Sequence, residues 1–232
     1  MRNPLTPRRR RGFEILDGPD VDPRLVKRSL DDVAKANALF GGTSSALEEL
    51  RSCLADLPRA ATLLDVGTGL GDIPARARSV AAQSRIVLTT IGLDSAPVLA
   101  SACRKALEWA VCGDALHLPF ADKSVDVVMC SQLLHHFRDD EALTLLREMN
   151  RVARHRVVVS DLRRSWIAAA GLWAVSFPLR FHAVSRHDGV VSVLRGFTTG
   201  ELADTVQAAI KQRPVAHRRR GFRVTTSWAP VH

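Results

Sequence analysis

The densest chemistry in the sequence lies in the run Leu63-Leu64-Asp65-Val66-Gly67-Thr68-Gly69-Leu70-Gly71-Asp72, an apolar strand that turns through three glycines into a helix. Glycines permit a sharp turn and let a ligand come up against the backbone, and the helix N-terminus behind them offers unpaired N–H groups to an anion. A nucleotide-type cofactor is expected at the carboxyl end of such a strand. The dinucleotide fingerprint G-x-G-x-x-G fails, because Asp72 stands where its last glycine belongs. An acid facing a pyrophosphate repels it.

A second cluster is Ser131-Gln132-Leu133-Leu134-His135-His136, followed by Asp139-Asp140-Glu141 at a helix start. Adjacent histidines cannot face the same way, so one, His136, is expected to reach a reacting group while its neighbour packs or caps the helix. A metal reading would combine one of them with Asp139, but no third His or Cys sits at ligand spacing, so no metal is expected. Tyr is absent. Acid–base work therefore falls on His, Asp, Glu or the backbone, and His136, His182 and His187 are the candidates, with Asp188 a potential orienter. The triplet His187-Asp188-Gly189 reads equally well as a polar turn.

The elements that would position these residues follow from periodicity. Thr62–Val66, Ile86–Leu93, Val125–Cys130 and Val157–Val159 are short apolar runs, the pattern of parallel strands covered on both faces. Helices Asp72–Ala82, Ser95–Ala110 and Asp139–Ala153 alternate with them, which is a doubly wound α/β order. Two helices precede the sheet. One starts at Asp22-Pro23 and stops at Gly41-Gly42; the other opens at Thr43 to Ser45, where Ser45 and Glu48 have capping-box spacing. A helix near Thr199–Lys211 and a terminal hairpin of Val215–Arg219 and Phe222–Trp228 around Gly221 complete the chain.

The spacing Asp65-x-Gly67-x-Gly69-x-Gly71 resembles motif I of the class I S-adenosylmethionine-dependent methyltransferases. Asp94, Gly113-Asp114-Ala115 with Leu118-Pro119-Phe120, and Val125-Asp126-Val127-Val128 running into Ser131 to His136 resemble the next motifs in the family's order. The likeness covers residues 60–160 and is nearest to the ubiquinone/menaquinone C-methylase-like group. It implies a seven-stranded Rossmann-like sheet, mostly parallel, with a C-terminal antiparallel hairpin. It implies S-adenosylmethionine as methyl donor, leaving S-adenosylhomocysteine. Asp65, Gly67, Thr68 and Gly69 would lie by the cofactor, Asp94 and Ser95 by its ribose, Asp114 and Ala115 by its adenine, and Ser131 nearby. His136 and His187 would serve the acceptor. Residues 1–60 would form a basic tail and helical cap, and 61–232 the methyltransferase domain with an acceptor insertion at 162–198. The implied reaction is methyl transfer to oxygen or carbon of a small hydrophobic phenolic, quinone or polyketide acceptor, as in secondary metabolism. An RNA-directed enzyme and a non-catalytic cofactor-binding relative stand as alternatives.

Charge bears on the partner. The sequence holds 33 Lys and Arg against 24 Asp and Glu, net +9, but residues 13–150 are net −6 and the excess lies behind them and at the two ends. That weakens a nucleic-acid reading, and the Arg8–Arg11 and Arg218–Arg220 runs lack the interleaved aromatics that stack bases. Both runs are expected to be solvated or to touch a membrane surface, the first on a mobile terminus and the second guarding an edge strand. A basic acceptor half would suit a phenolate, with Arg186 and Arg195 as candidate holders. Four cysteines without CxxC spacing suggest a reduced, cytoplasmic setting. No apolar segment follows the N-terminal arginines as a secretory signal would, and the apolar run Trp166–Phe177 is too short to span a bilayer.

Overall fold

A strand with both faces covered can be apolar throughout, and each apolar run in the centre of the chain has become one. The computed structural model describes residues 4–10, 12–18 and 21–231. In chain order these give α1 (Pro23–Leu39), α2 (Gly42–Cys53), β1 (Ala60–Val66), α3 (Asp72–Gln83), β2 (Val87–Asp94), α4 (Pro97–Cys103), β3 (Trp109–Cys112), β4 (Val125–Ser131), α5 (Asp139–Val152), β5 (Ala153–Leu162), α6 (Trp166–Ser176), α7 (Ala183–Arg195), α8 (Thr199–Ile210), β6 (Ala216–Arg219) and β7 (Arg223–Trp228). The seven strands form one sheet in the order β3-β2-β1-β4-β5-β7-β6. All pairs are parallel except those of β7, which runs antiparallel to both β5 and β6.

Two buried clusters cover the sheet. On one face Leu145, Leu146 and Met149 of α5 and Leu202 and Val206 of α8 pack on Val128, Val157 and Trp228. On the other, Ala46 and Leu50 of α2 and Ile73, Ala77 and Val80 of α3 pack on Leu63, Met129 and Val158. Thus α2 belongs to the layer beneath the sheet, while α1, α6 and α7 gather over the carboxyl ends of the strands.

Several expectations change. The helix expected over Ser95–Ala110 stops at Cys103, and Trp109–Cys112 pairs with β2 as a strand. Glu108 anchors that switch, its carboxylate accepting from the Thr90 backbone N–H at 2.9 Å and from the Thr90 hydroxyl and Arg78. Local spacing alone does not show such a tie. The capping box of Ser45 and Glu48 is absent: α2 begins at Gly42 behind Gly41, whose φ is +76°, and Glu48 pairs with Arg219 instead. His187-Asp188-Gly189 is no turn but mid-helix in α7.

The basic ends are also more engaged than expected. Arg9 donates to the Arg195 carbonyl at 2.7 Å and lies over the Phe197 ring, and buried Arg164 donates to the Pro7 carbonyl at 2.7 Å. Residues 5–10 are therefore laid along α6 and α7 rather than loose; Arg11 lies outside the described residues. At the other end, Arg219 reaches the buried Glu49 at 2.8 Å and the Thr225 hydroxyl at 2.9 Å. The hairpin turn meets α1 at Gly221. A Cβ there would sit 1.7 Å from the Phe40 carbonyl oxygen, so only glycine fits.

Candidate active site

The parallel register brings the carboxyl ends of β1, β2, β4 and β5 to one level, with Val66 opposite Leu93 and Cys130, and Ser131 opposite Ser160. Above them lies a cavity of about 930 Å³, roofed by α1, α6 and α7. Asp65, Gly67, Thr68, Gly69, Asp94, Ser95, Asp114, Ala115 and Ser131 all line it, as does His136.

The glycine loop owes its shape to β2 rather than to its own side chains. The Gly67 and Thr68 N–H groups donate to the Leu93 carbonyl at 2.8 and 3.0 Å, and the Gly69 N–H donates to Asp94 Oδ2 at 3.0 Å. Asp94 Oδ1 accepts from the Ala96 N–H at 3.1 Å, so this carboxylate fixes the loops after β1 and β2 together. Gly67 and Gly69 have φ of +71° and +55°, and a Cβ on Gly69 would project into open space. The backbone there is bare toward the cavity.

Beneath the loop the Thr68 hydroxyl donates to Asp65 Oδ2 at 2.9 Å, leaving Asp65 Oδ1 buried without a partner. Burial pushes the Asp65 carboxyl up to about 7, the nearby Asp72 and Asp94 charges add to this, and the Thr68 bond opposes it. Ser131 Oγ is likewise buried and unpartnered. Asp114 lies at the rim, where its bonds with the His117 ring at 2.8 Å and the Leu116 N–H hold its carboxyl below the usual range.

At the far wall, His135 and not His136 is the anchored imidazole. Its Nδ1 lies 2.6 Å from Asp161 Oδ1, and its backbone N–H donates to Asp161 Oδ2 at 3.1 Å. Asp161 is fully buried; burial pushes its carboxyl up, but the His135 ring and the Leu162 N–H outweigh that and hold it below the usual range. A carboxylate can only accept, so Nδ1 carries a proton toward Asp161, and in the neutral ring the lone pair falls on Nε2. Nε2 is buried, has no partner, and belongs to a residue on the cavity wall. Arg223 stands behind the pair; burial pulls its guanidinium down to about 10, opposed by Asp161.

Neither Asp161 nor Glu14 was anticipated. Asp161 had a signal: like Asp65 and Asp94 it is an acid at the carboxyl end of an apolar strand. Glu14 had none, being a single acid beside an arginine run. It is buried on the cavity wall, with Oε1 accepting from Ser192 and Arg195 at 2.8 and 2.9 Å and Oε2 3.6 Å from His136 Nδ1. Glu14, His135 and His136 thus bring three ligand-type atoms within 4.8 Å of one another. The two imidazole planes are tilted 34° apart with ring centroids at 4.2 Å, and His135 Nδ1 is already taken by Asp161. No metal is assigned.

His187 and His182 are misplaced for the acceptor. His187 is half exposed against Asp188 and is not among the lining residues, because its helix turns Asp188 and Gly189 inward instead. His182 caps α7, accepting from the Val184 N–H at 3.3 Å. Asp188 does pair with the His187 ring, its Oδ1 lying 2.8 Å from Nδ1, and the same carboxylate accepts the Ile15 and Leu16 N–H groups at 2.9 Å. Arg186 and Arg195 are spent on Phe177, Ser176, Glu14 and Gly12. Arg223 is the one Arg or Lys lining the cavity among the described residues, against Glu14, Asp65, Asp72, Asp94, Asp114 and Asp188, so apart from Arg223 the basic charge behind residue 150 does not line it.

The chain matches the family described as Methyltransferase domain over residues 64–159. A demethylmenaquinone methyltransferase of Roseiflexus sp. (strain RS-1) is 30% identical over 172 residues, covering 68% of this chain and 70% of the relative. The chain belongs to the S-adenosylmethionine-dependent methyltransferases. Solved structures share the methyltransferase fold at low identity. A plantazolicin methyltransferase, solved with a triazolic desmethyl analogue and S-adenosylhomocysteine, has a TM-score of 0.62 at 11% identity over 89% of each chain. An S-adenosylmethionine-dependent methyltransferase from Aquifex aeolicus gives 0.60 at 16% identity, over 91% of this chain and all of the other.

The methyltransferase's cavity fits that cofactor's chemistry. The acidic side chains of Asp65, Asp72, Asp94 and Asp114 line the space for a ligand that carries a sulfonium and an ammonium group, the Gly69 backbone is bare toward it, and Asp65 Oδ1 and Ser131 Oγ are buried polar atoms without a partner in its wall.

Proposed function

We propose that this methyltransferase methylates a hydroxyl of a small, largely hydrophobic phenolic, quinone or polyketide acceptor, with His135 as the proton acceptor. The observation that carries this is the buried, unpartnered His135 Nε2 backed by Asp161. When bound, S-adenosylmethionine supplies an electrophilic methyl group on a sulfonium. Asp94 and Ser95 would bind its ribose, Asp114 and Ala115 its adenine, and Asp65, Gly67, Thr68, Gly69 and Ser131 its methionyl end.

Val26, Leu30 and Val33 of α1, with Ile167, Leu172 and Val175 of α6, offer an apolar bed for the acceptor and exclude water from it. We read α1 and the 162–198 segment as the acceptor-binding unit. His135 Nε2, in the neutral ring, would take the acceptor's O–H proton as the methyl group passes from sulfur to that oxygen, the C–S bond breaking as the C–O bond forms and a neutral thioether being left. Asp161 is a positioning residue: it holds the tautomer that keeps Nε2 free and stabilises the imidazolium that forms. His136, 3.6 Å from Glu14, would orient the acceptor rather than deprotonate it.

The test is formation of S-adenosylhomocysteine on a panel of lipophilic phenols. His135→Ala should lower turnover by about 10²–10⁴-fold while leaving cofactor affinity intact. Asp161→Asn should lower it too and shift the pH profile. Unchanged turnover in His135→Ala sinks the base assignment. Turnover confined to RNA and abolished by moderate salt, or cofactor binding without turnover on any acceptor, overturns the acceptor class.

A further inference from the structure

Helix α6 has no charged residue, and only part of its surface is needed by the fold. Ala169 is buried with Leu162 and Val193, Leu172 packs beside them, and Gly171 and Val175 help to wall the cavity. The outward stripe, at helical spacing, is Trp166, Ala170, Trp173, Ala174 and Phe177. Trp173 is 54% exposed and Phe177 48%, their rings edge to face with centroids 4.9 Å apart, and Ile167 beside them is 51% exposed. A helix that is apolar all round belongs in a core or against lipid, and among the described residues no helix is long and apolar enough to cross a membrane.

The border of this stripe is cationic. Arg10 lies over the Trp166 ring at 5.1 Å and Arg186 over the Phe177 ring at 3.8 Å. Arg180 is exposed just beyond Phe177, with the exposed Arg28 of α1 bonded to its carbonyl. From residue 163 to 187 the chain contains no Asp or Glu. Aromatics at the centre with arginines around them match the surface of a bilayer, where rings enter the acyl boundary and guanidinium groups meet anionic headgroups.

We propose that the outer face of α6 docks this methyltransferase on an anionic lipid bilayer. Ile167 and Val175 are at once partly exposed and part of the cavity wall, so the docked helix is also the partition between lipid and active site. The docking stands on the face itself and does not depend on which acceptor is methylated.

The experiment is sedimentation of the full chain with vesicles of phosphatidylcholine mixed with phosphatidylglycerol, and with phosphatidylcholine alone. Binding to the mixed vesicles is expected, weakened by salt, and at least about tenfold weaker in the Trp173→Ser/Phe177→Ser double variant. Neither residue lines the cavity, so cofactor affinity should be unchanged and reports that the variant is folded. Should that variant not fold, quenching of the wild-type tryptophans by bromine-labelled lipids, reduced in Trp173→Phe, reads the same contact. No binding of the wild type to the mixed vesicles, equal binding by a folded double variant, no quenching, or a dimer in solution that the double variant dissociates overturns the proposal. The last result would mean that a second copy covers the face.

Discussion

The two halves of the cavity are built by different means. On the cofactor side the contacts are short in sequence and mostly backbone: Leu93 and Asp94 hold the loop of residues 67–69, about 25 residues away. On the acceptor side the ties span most of the chain. Asp188 holds the backbone of Ile15 and Leu16, Arg195 holds Glu14 and Gly12, and Arg164 holds Pro7. The first half can be shaped by any chain that makes the right strand ends, whereas the second requires the tail, α1, α6 and α7 to meet. The halves should therefore fail separately.

The sharpest break is Asp94→Ala. It removes both the loop tie and the proposed ribose contact, so calorimetry should show cofactor affinity falling by at least about 100-fold, since each hydrogen bond to a charged group is worth about 1.5–3 kcal/mol. The thermal stability of the acceptor side should barely move. The reverse break is Glu14→Ala, which removes from the cavity wall the carboxylate that Ser192 and Arg195 hold. Acceptor-dependent kcat/KM should fall about tenfold with the dissociation constant for S-adenosylmethionine unchanged. A matching loss of cofactor affinity would show that the halves are one unit.

The smallest effect sharpens the comparison through pH. Asp65 has its folded pKa raised to about 7, above that of the unfolded chain, so it favours folding at low pH and loses that contribution as pH rises toward 7. The midpoint of thermal unfolding without ligand should fall by several degrees between pH 5 and 8, and Asp65→Asn, which can still accept from Thr68, should flatten the curve. Saturating S-adenosylmethionine, whose positive charge favours the carboxylate, should flatten it too. A pH dependence that survives Asp65→Asn belongs to another group.

The same contrast explains what could be read before the structure. Strand ends, the loop of residues 67–71 and the family likeness are local patterns, and they led to residues that share one cavity. Trp109 and Ala110 read as the end of a helix because their strand state is set by pairing with β2 and by Glu108, neither of which leaves a periodic trace. His187 does pair with its neighbour Asp188, but its ring is half exposed and off the cavity wall, while the histidine–carboxylate pair on that wall, His135 with Asp161, is split by 26 residues. Glu14 and the laid-down tail could not be read at all, since their meaning depends on α7, more than 170 residues later.

That separation also imposes an order in time. Residues 5–10 and 12–16 leave the ribosome well before the α7 they lie on, and β7, which Arg223 and the Gly221 turn carry to the cavity, follows later still. The central strands can assemble during synthesis, but that segment must wait for α7 before it has anything to lie on. A nascent chain stalled before residue 185 would own the loop of Gly67 and Gly69 and the His135–Asp161 pair, but no closed chamber in which to use them.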